Sequence, residues 1–183
     1  MVRQRMRNTL LPALLALALT GCVVTSQITE RQGTKAYLQK DYVTALTKYT
    51  EAAEAGNAMA QYHLAVMYAE GEGVDTDLER AASLLQQASD QNLDEATLML
   101  GLFHVYGDGV PADPAKGASL IARAADRGND VAMYYLGNLY AAGLGVDRDI
   151  PQALTWMRKA KRAGFPVEDT MLTEQGLAVA YGE

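Results

Sequence analysis

The chain has 183 residues, of which 49% are apolar and only two are Phe and one is Trp, and its formal net charge is −6. This length fits one folded domain, and an apolar content rich in Ala and Leu favours packed helices over a β-sandwich. The acidic balance disfavours nucleic acid as a partner and provides no general attraction to an anionic membrane.

Residues 1–21 have the pattern of a lipoprotein signal peptide. A basic stretch with three arginines precedes an apolar run over residues 10–19. That run is about half as long as the ~20 residues that a membrane-spanning helix needs. The sequence Leu-Thr-Gly-Cys at residues 19–22 resembles the bacterial lipobox. The resemblance implies cleavage before Cys22, which then carries acyl chains on its sulfur and its amine.

This interpretation makes the mature protein a lipoprotein with 13 basic and 22 acidic residues. In a Gram-negative host, Val23 rather than Asp after the cysteine favours the outer membrane, facing the periplasm. The inner membrane and the cell surface stay open as locations. An ordinary signal peptide followed by an unmodified cysteine also stays open.

Residues 22–33 are predicted to form a flexible, lipid-anchored tether that ends at Gly33. They show no clear hydrophobic period and too few apolar residues for a core. The folded domain is therefore expected to comprise residues 34–183.

A 36-residue repeat organises this domain. The predicted units are 41–76, 77–112 and 113–148, followed by a partial or capping unit at 149–183. Five series of residues recur at the 36-residue interval: Asp41/Asp77/Asp113/Asp149, Ala52/Ala88/Ala124/Ala160, Gly71/Gly107/Gly143, Gly73/Gly109/Gly145 and Val74/Val110/Val146.

Each unit is predicted to contain two helices. The repeated Asp caps the start of the first helix, whose apolar residues fall at offsets of three and four. Gly56, Asn92, Gly128 and Gly164 mark its end. The second helix contains a Leu followed by a small residue that permits close packing, and a Gly-x-Gly-Val turn ends it and returns a valine to the core. The Leu and small-residue pairs are Leu64-Ala65, Leu100-Gly101 and Leu136-Gly137.

The stretch from Ala132 to Asp149 closely resembles the Sel-one-like repeat, a relative of the tetratricopeptide repeat, and the resemblance covers roughly residues 36–164. It implies an all-α fold, a right-handed α-solenoid of antiparallel helix pairs. After Gly164 the pattern fades, and residues 170–181 are expected to form a terminal capping helix. The departures from the pattern are Ala65 for Gly, Asn92 for Gly, His104 for Tyr and Gly117 for Ala.

The resemblance also implies a binding surface on the concave face, lined by the helix that bears the Leu-Gly pair. Apolar and aromatic side chains there favour a protein partner. The alternative, that these positions only complete the packing between neighbouring helix pairs, stays open. The matching residues are Tyr62, Val66, Leu98, Leu102, Val105, Tyr134 and Asn138.

No pattern for catalysis, a metal or a cofactor is found, and no small-molecule substrate is expected. No serine lies in a Gly-x-Ser-x-Gly turn, and no His-Glu-x-x-His occurs. His104 takes the Tyr position of its repeat and His63 a different one, so His104 is interpreted as a packed or capped histidine rather than a ligand. The Gly-x-Gly turns follow helices, and they lack the Lys-Ser/Thr of a phosphate-binding loop.

These features together favour a membrane-anchored scaffold or adaptor of the bacterial envelope that binds a protein partner. The alternative is an immunity or inhibitor protein that neutralises a secreted toxin such as a phospholipase effector, because exported proteins with similar repeats include such inhibitors. The sequence favours no particular partner for either function.

Overall fold

The computed structural model describes residues 24–181, so the predicted signal peptide and Cys22 lie outside the described residues. Every regular element in this range is helical, which confirms the all-α prediction. The helices are α1 (residues 24–38), α2 (Tyr42–Glu54), α3 (Ala58–Glu70), α4 (Leu78–Asp90), α5 (Asp94–Tyr106), α6 (Pro114–Asp126), α7 (Asp130–Ala142), α8 (Ile150–Ala163), a 3-10 turn (Asp169–Leu172) and α9 (Glu174–Tyr181).

The repeated aspartates cap the even-numbered helices, as predicted. Each carboxylate accepts a hydrogen bond from the backbone N–H three residues later, at 2.9–3.1 Å. A cap of this kind contributes about 1 kcal/mol to helix stability. The sequence did not reveal the caps of the next helices: Asn57 begins α3 and Asn129 begins α7 in the same way.

The predicted helix ends are also confirmed. Gly56, Gly128 and Gly164 have φ values of 85°, 103° and 114°, and Asn92 has a φ of 68°. Only glycine adopts this left-handed conformation without cost, although asparagine tolerates it. Asn92 has a second role, because its Oδ1 accepts a hydrogen bond of 2.6 Å from Nη2 of Arg127 in the next repeat.

The Gly-x-Gly-Val turns press against the start of the preceding even-numbered helix. A Cβ on Gly109 would lie 2.1 Å from the carbonyl oxygen of Leu78, and one on Gly145 would lie 2.1 Å from that of Pro114. No side chain fits at either position. The valines that follow the second glycine are partly buried against the core, as predicted.

Each odd-numbered helix from α3 to α7 packs most closely against the even-numbered helix that follows it. The small residue after the recurring Leu permits this approach: a Cβ on Gly101 would lie 2.7 Å from Ile121, and one on Gly137 would lie 2.7 Å from Met157. Ile121 and Met157 are fully buried. Burying a side chain of this size contributes roughly 1.5–3 kcal/mol. The buried residues form three successive hydrophobic clusters along the array.

Residues 24–33 are helical, so the prediction that residues 22–33 form a flexible tether is wrong for this part of the segment. Ser26 and Ala36 of α1 are each 6% exposed. The hydroxyl of Tyr49 donates to Oγ1 of Thr34 at 3.1 Å, and the hydroxyl of Tyr37 donates to Oε2 of Glu72 at 2.5 Å. These contacts make α1 the first helix of the repeat array.

The position of Gly33 explains why the 36-residue period does not reveal α1. A Cβ on Gly33 would lie 2.7 Å from the ring of Tyr49, which occupies the position of Ile121 in its own repeat. Gly33 therefore has the role of Gly101. Only two residues join α1 to the Asp41 cap of α2, whereas six join each later odd-numbered helix to the next cap. The connection is four residues shorter, and the pattern shifts by the same amount.

Candidate functional site

The odd-numbered helices lie in one row of the array and the even-numbered helices in the other, because each helix packs against the helices before and after it. We use "inner-row surface" for the solvent-facing side of α3, α5 and α7, where the sequence predicted a binding site. Five of the seven predicted residues are partly exposed there: Tyr62, Val66, Leu102, Tyr134 and Asn138.

Leu98 is only 8% exposed and packs in the core shared by α5, α6 and α7. The tyrosines at the equivalent positions, Tyr62 and Tyr134, are longer and stay partly exposed. The prediction that Leu98 lies on the surface is therefore corrected, because the shorter side chain ends within the core.

Val105 is 6% exposed, and its burial compensates for a small residue opposite it. Cγ2 of Val105 lies 2.6 Å from the position that a Cβ on Gly117 would take. In the neighbouring repeats both positions are alanine, as the pairs Ala69/Ala81 and Ala141/Ala153. A larger residue on α5 thus fills the space that a smaller residue on α6 leaves, and Val105 belongs to the core.

An aromatic group lies at the C-terminal end of the inner-row surface. The ring of Tyr134 stacks on Phe165 with centroids 4.7 Å apart. The hydroxyl of Tyr181 in α9 donates to Oδ1 of Asn138 at 2.8 Å, so α9 docks beside α7. Burial raises the pKa of Tyr181, and the nearby Tyr134 and Tyr106 raise it further.

Tyr106 is the most exposed aromatic side chain of this surface, at 64%. It lies four residues after Leu102 on α5, and therefore on the same side of that helix. The period gave no reason to select it, because the equivalent residues are Glu70 and Ala142. Its spacing from Leu102 on one helix was the only available signal. We add Tyr106 and Tyr181 to the candidate surface.

The N-terminal end of the surface carries acidic residues. Burial raises the pKa of Tyr62, and the charges of Glu95 and Glu70 raise it further. His63 stacks on Tyr49 with centroids 5.0 Å apart, and its Nε2 lies 3.8 Å from Oε1 of Glu30. Burial lowers the pKa of His63, although the charge of Glu30 opposes that shift.

A cleft between the 3-10 turn and α9 is lined by Thr170 and Val179 among others, and two further clefts lie between even-numbered helices. One separates α2 from α4 and is lined by Glu54, Arg80 and Gln87 among others. The equivalent cleft one repeat later borders His104, which is 7% exposed. His104 is packed, as the sequence indicated, and its Nδ1 has no hydrogen-bond partner among the described residues.

Within residues 24–181, no group of three or more His, Cys, Asp or Glu side chains lies close enough together to hold a metal ion. In the same range, no helix combines the length and the apolar character that crossing a bilayer would require. The candidate site is therefore the inner-row surface, whose side chains are aromatic towards α9 and acidic around Tyr62.

Three successive stretches of the chain match the Sel1 repeat family: residues 58–93, 94–129 and 130–165. Each stretch has the predicted length of 36 residues. The family frame begins on the odd-numbered helix, at residue 58, rather than at the aspartate of the unit that starts at residue 41. It thus pairs the two helices that pack most closely.

Solved structures show the same architecture. A protective antigen present in uropathogenic Escherichia coli strains, with an SLR fold, is 30% identical with a TM-score of 0.71, and the match covers 76% of this chain and 31% of the antigen. A Sel1 repeat protein from Oxalobacter formigenes is 26% identical with a TM-score of 0.69, over 78% of this chain and 57% of that protein. This chain therefore spans about a third of the first protein and just over half of the second.

Cysteine rich protein B of Helicobacter pylori shares the fold at a TM-score of 0.53 and 22% identity, over 76% of this chain and 94% of that protein. No curated protein matches this chain. The likenesses to these solved structures show that the chain folds as an α-solenoid of helix pairs.

Proposed function

Because the chain belongs to the Sel1 repeat family, we propose that it is a lipid-anchored adaptor of the bacterial envelope that binds a protein partner on the inner-row surface. Sel1 repeat proteins are generally non-enzymatic scaffolds for protein–protein interaction. The observation that supports this site is a set of partly or largely exposed tyrosines, one on each of the successive helices α3, α5 and α7: Tyr62, Tyr106 and Tyr134.

Tyrosine suits such a site because it offers a large contact area, a polar hydroxyl and few rotatable bonds. Aromatic residues of this kind supply a large share of the binding energy in protein interfaces. Each helix that carries them ends at a left-handed glycine and packs against both neighbouring even-numbered helices, so little order has to be gained on binding. Tyr106, at 64% exposed, has the most area left to bury.

The charges around Tyr62 indicate the chemistry of the partner. Glu70 and Glu95 lie close enough to Tyr62 to raise the pKa of its hydroxyl. The whole chain has 22 acidic and 16 basic residues. A partner segment with apolar or aromatic side chains and flanking Arg or Lys is complementary to this surface, since opposite charges accelerate encounter and disfavour acidic competitors.

The envelope location rests on the N-terminal sequence. The lipobox resemblance at residues 19–22 supports an acylated Cys22, and several acyl chains hold a protein stably on a bilayer. We place the protein at the outer membrane, facing the periplasm, because Val23 rather than Asp follows the cysteine.

Photo-crosslinking in the native host tests the binding surface. A photoreactive amino acid replaces Tyr106, and the crosslinked partner is identified by mass spectrometry. The proposal expects that Tyr62→Ser and Leu102→Ser, introduced into the crosslinking protein, each reduce the yield of that partner. Val43→Ser is the matched control, because Val43 is an exposed apolar residue on α2, in the other row, with 73% exposure. Equal yields from all four proteins would contradict the proposal, because Tyr62 and Leu102 would then contribute nothing to binding.

The anchor has its own test. Cys22→Ser is expected to abolish the added mass of the acyl chains and to release the protein from the outer-membrane fraction. Unchanged mass and fractionation would show that the protein is not lipidated at this residue, while leaving the crosslinking result to be judged separately.

A further inference from the structure

The side of α1 that faces away from α2 and α3 has an unusual composition. Five residues of α1 lie within one narrow stripe along its length, because they are spaced by three or four residues. All five are exposed, and the three apolar ones are 55%, 53% and 77% exposed. In order along the stripe they are Val24, Ile28, Arg31, Lys35 and Leu38.

The stripe contains no carboxylate. Glu30 is the only acidic residue of residues 24–38, and it faces away from the stripe, where it accepts a hydrogen bond from Thr34 and lies near His63. Neither Arg31 nor Lys35 forms an ion pair with another described residue. A basic and apolar stripe without acids thus occurs in a chain whose net charge is −6. An anionic surface with an apolar interior is complementary to it.

The place of α1 in the sequence brings it close to the bilayer. Cys22, where the proposed function places the acyl chains, precedes Val24 by only two residues. Two Cα–Cα steps span at most about 8 Å. The first turn of α1 is consequently held at the level of the lipid headgroups, and the tether that the sequence predicted does not separate the domain from the membrane.

The position of α1 is also fixed relative to the rest of the array. Gly33 packs against the ring of Tyr49, and Tyr37 donates a hydrogen bond to Glu72 in the first Gly-x-Gly turn. A membrane contact made by α1 therefore fixes the orientation of the whole repeat domain relative to the membrane. The domain cannot rotate independently of α1 while these contacts persist.

We propose that the stripe of Val24, Ile28, Arg31, Lys35 and Leu38 lies on the surface of an anionic phospholipid bilayer and sets the orientation of the repeat domain. This inference rests on the lipid anchor of the proposed function. Val24 and Ile28 enter the interface beside the acyl chains. Arg31 and Lys35 contact lipid phosphates while their methylene groups cover apolar area.

The test uses the full acylated protein, purified and reconstituted into vesicles of phosphatidylethanolamine and phosphatidylglycerol. A nitroxide is attached to Ile28→Cys, and its collisions with oxygen and with a water-soluble nickel complex are measured. Val179→Cys is the matched control, because Val179 is an apolar residue with 81% exposure on α9, at the opposite end of the array. The expected result is a loss of nickel collisions and a gain of oxygen collisions at Ile28 but not at Val179.

Charge reversals test the electrostatic part. Lys35→Glu is expected to restore nickel collisions at the Ile28 label, whereas Lys116→Glu, at an exposed position on α6, leaves them low. Vesicles of phosphatidylcholine alone are expected to act like Lys35→Glu. Equal protection of the label under all these conditions would overturn the role of the basic residues.

The remaining outcomes are distinct. An acylated protein whose Ile28 label collides with nickel as often as the Val179 label overturns the orientation alone. Loss of nickel collisions without a gain in oxygen collisions means that protein, such as a second copy, covers the stripe, and this also overturns it. A protein without acyl chains by mass spectrometry overturns the anchor and the orientation together.

Discussion

Gly33 of α1 lies directly against the ring of Tyr49 of α2, such that a Cβ on the glycine would be 2.7 Å from Cδ1 of the tyrosine. Tyr49 is 1% exposed and cannot move aside without disturbing the core. The same relationship recurs between Gly101 and Ile121 two repeats later. The contact shows that α1 is an integral helix of the array.

Gly33→Ala is expected to destabilise the protein. In an isolated helix this substitution gains up to about 1 kcal/mol. Here the added methyl group displaces a buried ring, and overpacking of this kind costs typically 1–3 kcal/mol. We expect a net decrease of about 1 kcal/mol in the free energy of unfolding, measured by urea denaturation. The control is Gln32→Ala, at an exposed position of the same helix. A more stable Gly33→Ala variant would mean that α1 is not packed as described.

Two glycines with positive φ allow a comparison between a crowded and an open position. Gly109 and Gly128 both have positive φ, at 63° and 103°. A Cβ on Gly109 would lie 2.1 Å from the oxygen of Leu78, whereas one on Gly128 would meet nothing within 4 Å. Gly128→Ala is expected to cost about 1–2 kcal/mol from conformation alone. Gly109→Ala is expected to cost roughly 3 kcal/mol or more, because backbone has to shift as well. Equal losses in thermal denaturation would contradict the close approach of the turn.

Asn92 combines a left-handed conformation with a hydrogen bond to Arg127. Asn92→Gly removes the bond and eases the backbone, so the two effects of about 1 kcal/mol each are expected to cancel. Asn92→Ala loses the bond and keeps the strain, and is expected to cost about 1–2 kcal/mol. The measurement is the shift of the denaturation midpoint for both variants. If the alanine variant is as stable as the glycine variant, backbone conformation is not what limits this position.

His63 is expected to make the protein less stable in mild acid. Burial lowers its pKa in the folded protein below the ordinary value of 6.5. The unfolded chain therefore binds a proton at a higher pH than the folded chain, and this favours unfolding as the pH falls below about 6.5 and down through the folded pKa. His63→Gln is expected to show a smaller drop in unfolding temperature between about pH 7.5 and about pH 5.5. Identical drops in the two proteins would assign the pH dependence to other groups.

The sequence was sufficient for features that depend on local chemistry. Each repeated aspartate caps a helix because a carboxylate three residues before a free N–H satisfies it wherever the helix starts. The glycine turns followed from the 36-residue interval alone. The C-terminal helix was expected over residues 170–181, and α9 lies within that range after a short 3-10 turn.

Helix α1 was not predicted because its hydrophobic pattern is the reverse of the usual one. Its buried side uses the small residues Ser26, Gly33 and Ala36, whereas its larger apolar residues Val24 and Ile28 are exposed. A short connection also removes it from the 36-residue register. Neither reason concerns helix propensity. The contact of Gly33 with Tyr49 of α2 explains both the buried small residues and the shifted register.

The candidate surface was predictable only in part, because the burial of each side chain depends on its length and on the residues of the neighbouring helix that pack against it. The period selected Leu98 as the equivalent of two partly exposed tyrosines, but length decides where the side chain ends. It could not select Tyr106, whose counterparts in other repeats are a glutamate and an alanine. The contact between Tyr181 and Asn138 joins residues 43 positions apart, which no repeat interval relates.

The pairing of Val105 with Gly117 gives the array a way to distinguish neighbouring units that are otherwise nearly interchangeable. If folding skipped one unit, Val105 would meet Ala153 in place of Gly117, and Ala69 would meet Gly117 in place of Ala81. The first error crowds the interface at a cost of roughly 1–3 kcal/mol, and the second leaves a gap there. Misassembly of repeats is a characteristic failure of such chains. The Val105 and Gly117 pair, which replaces the two alanines of the neighbouring repeats, therefore favours the correct order of units while the chain is still folding.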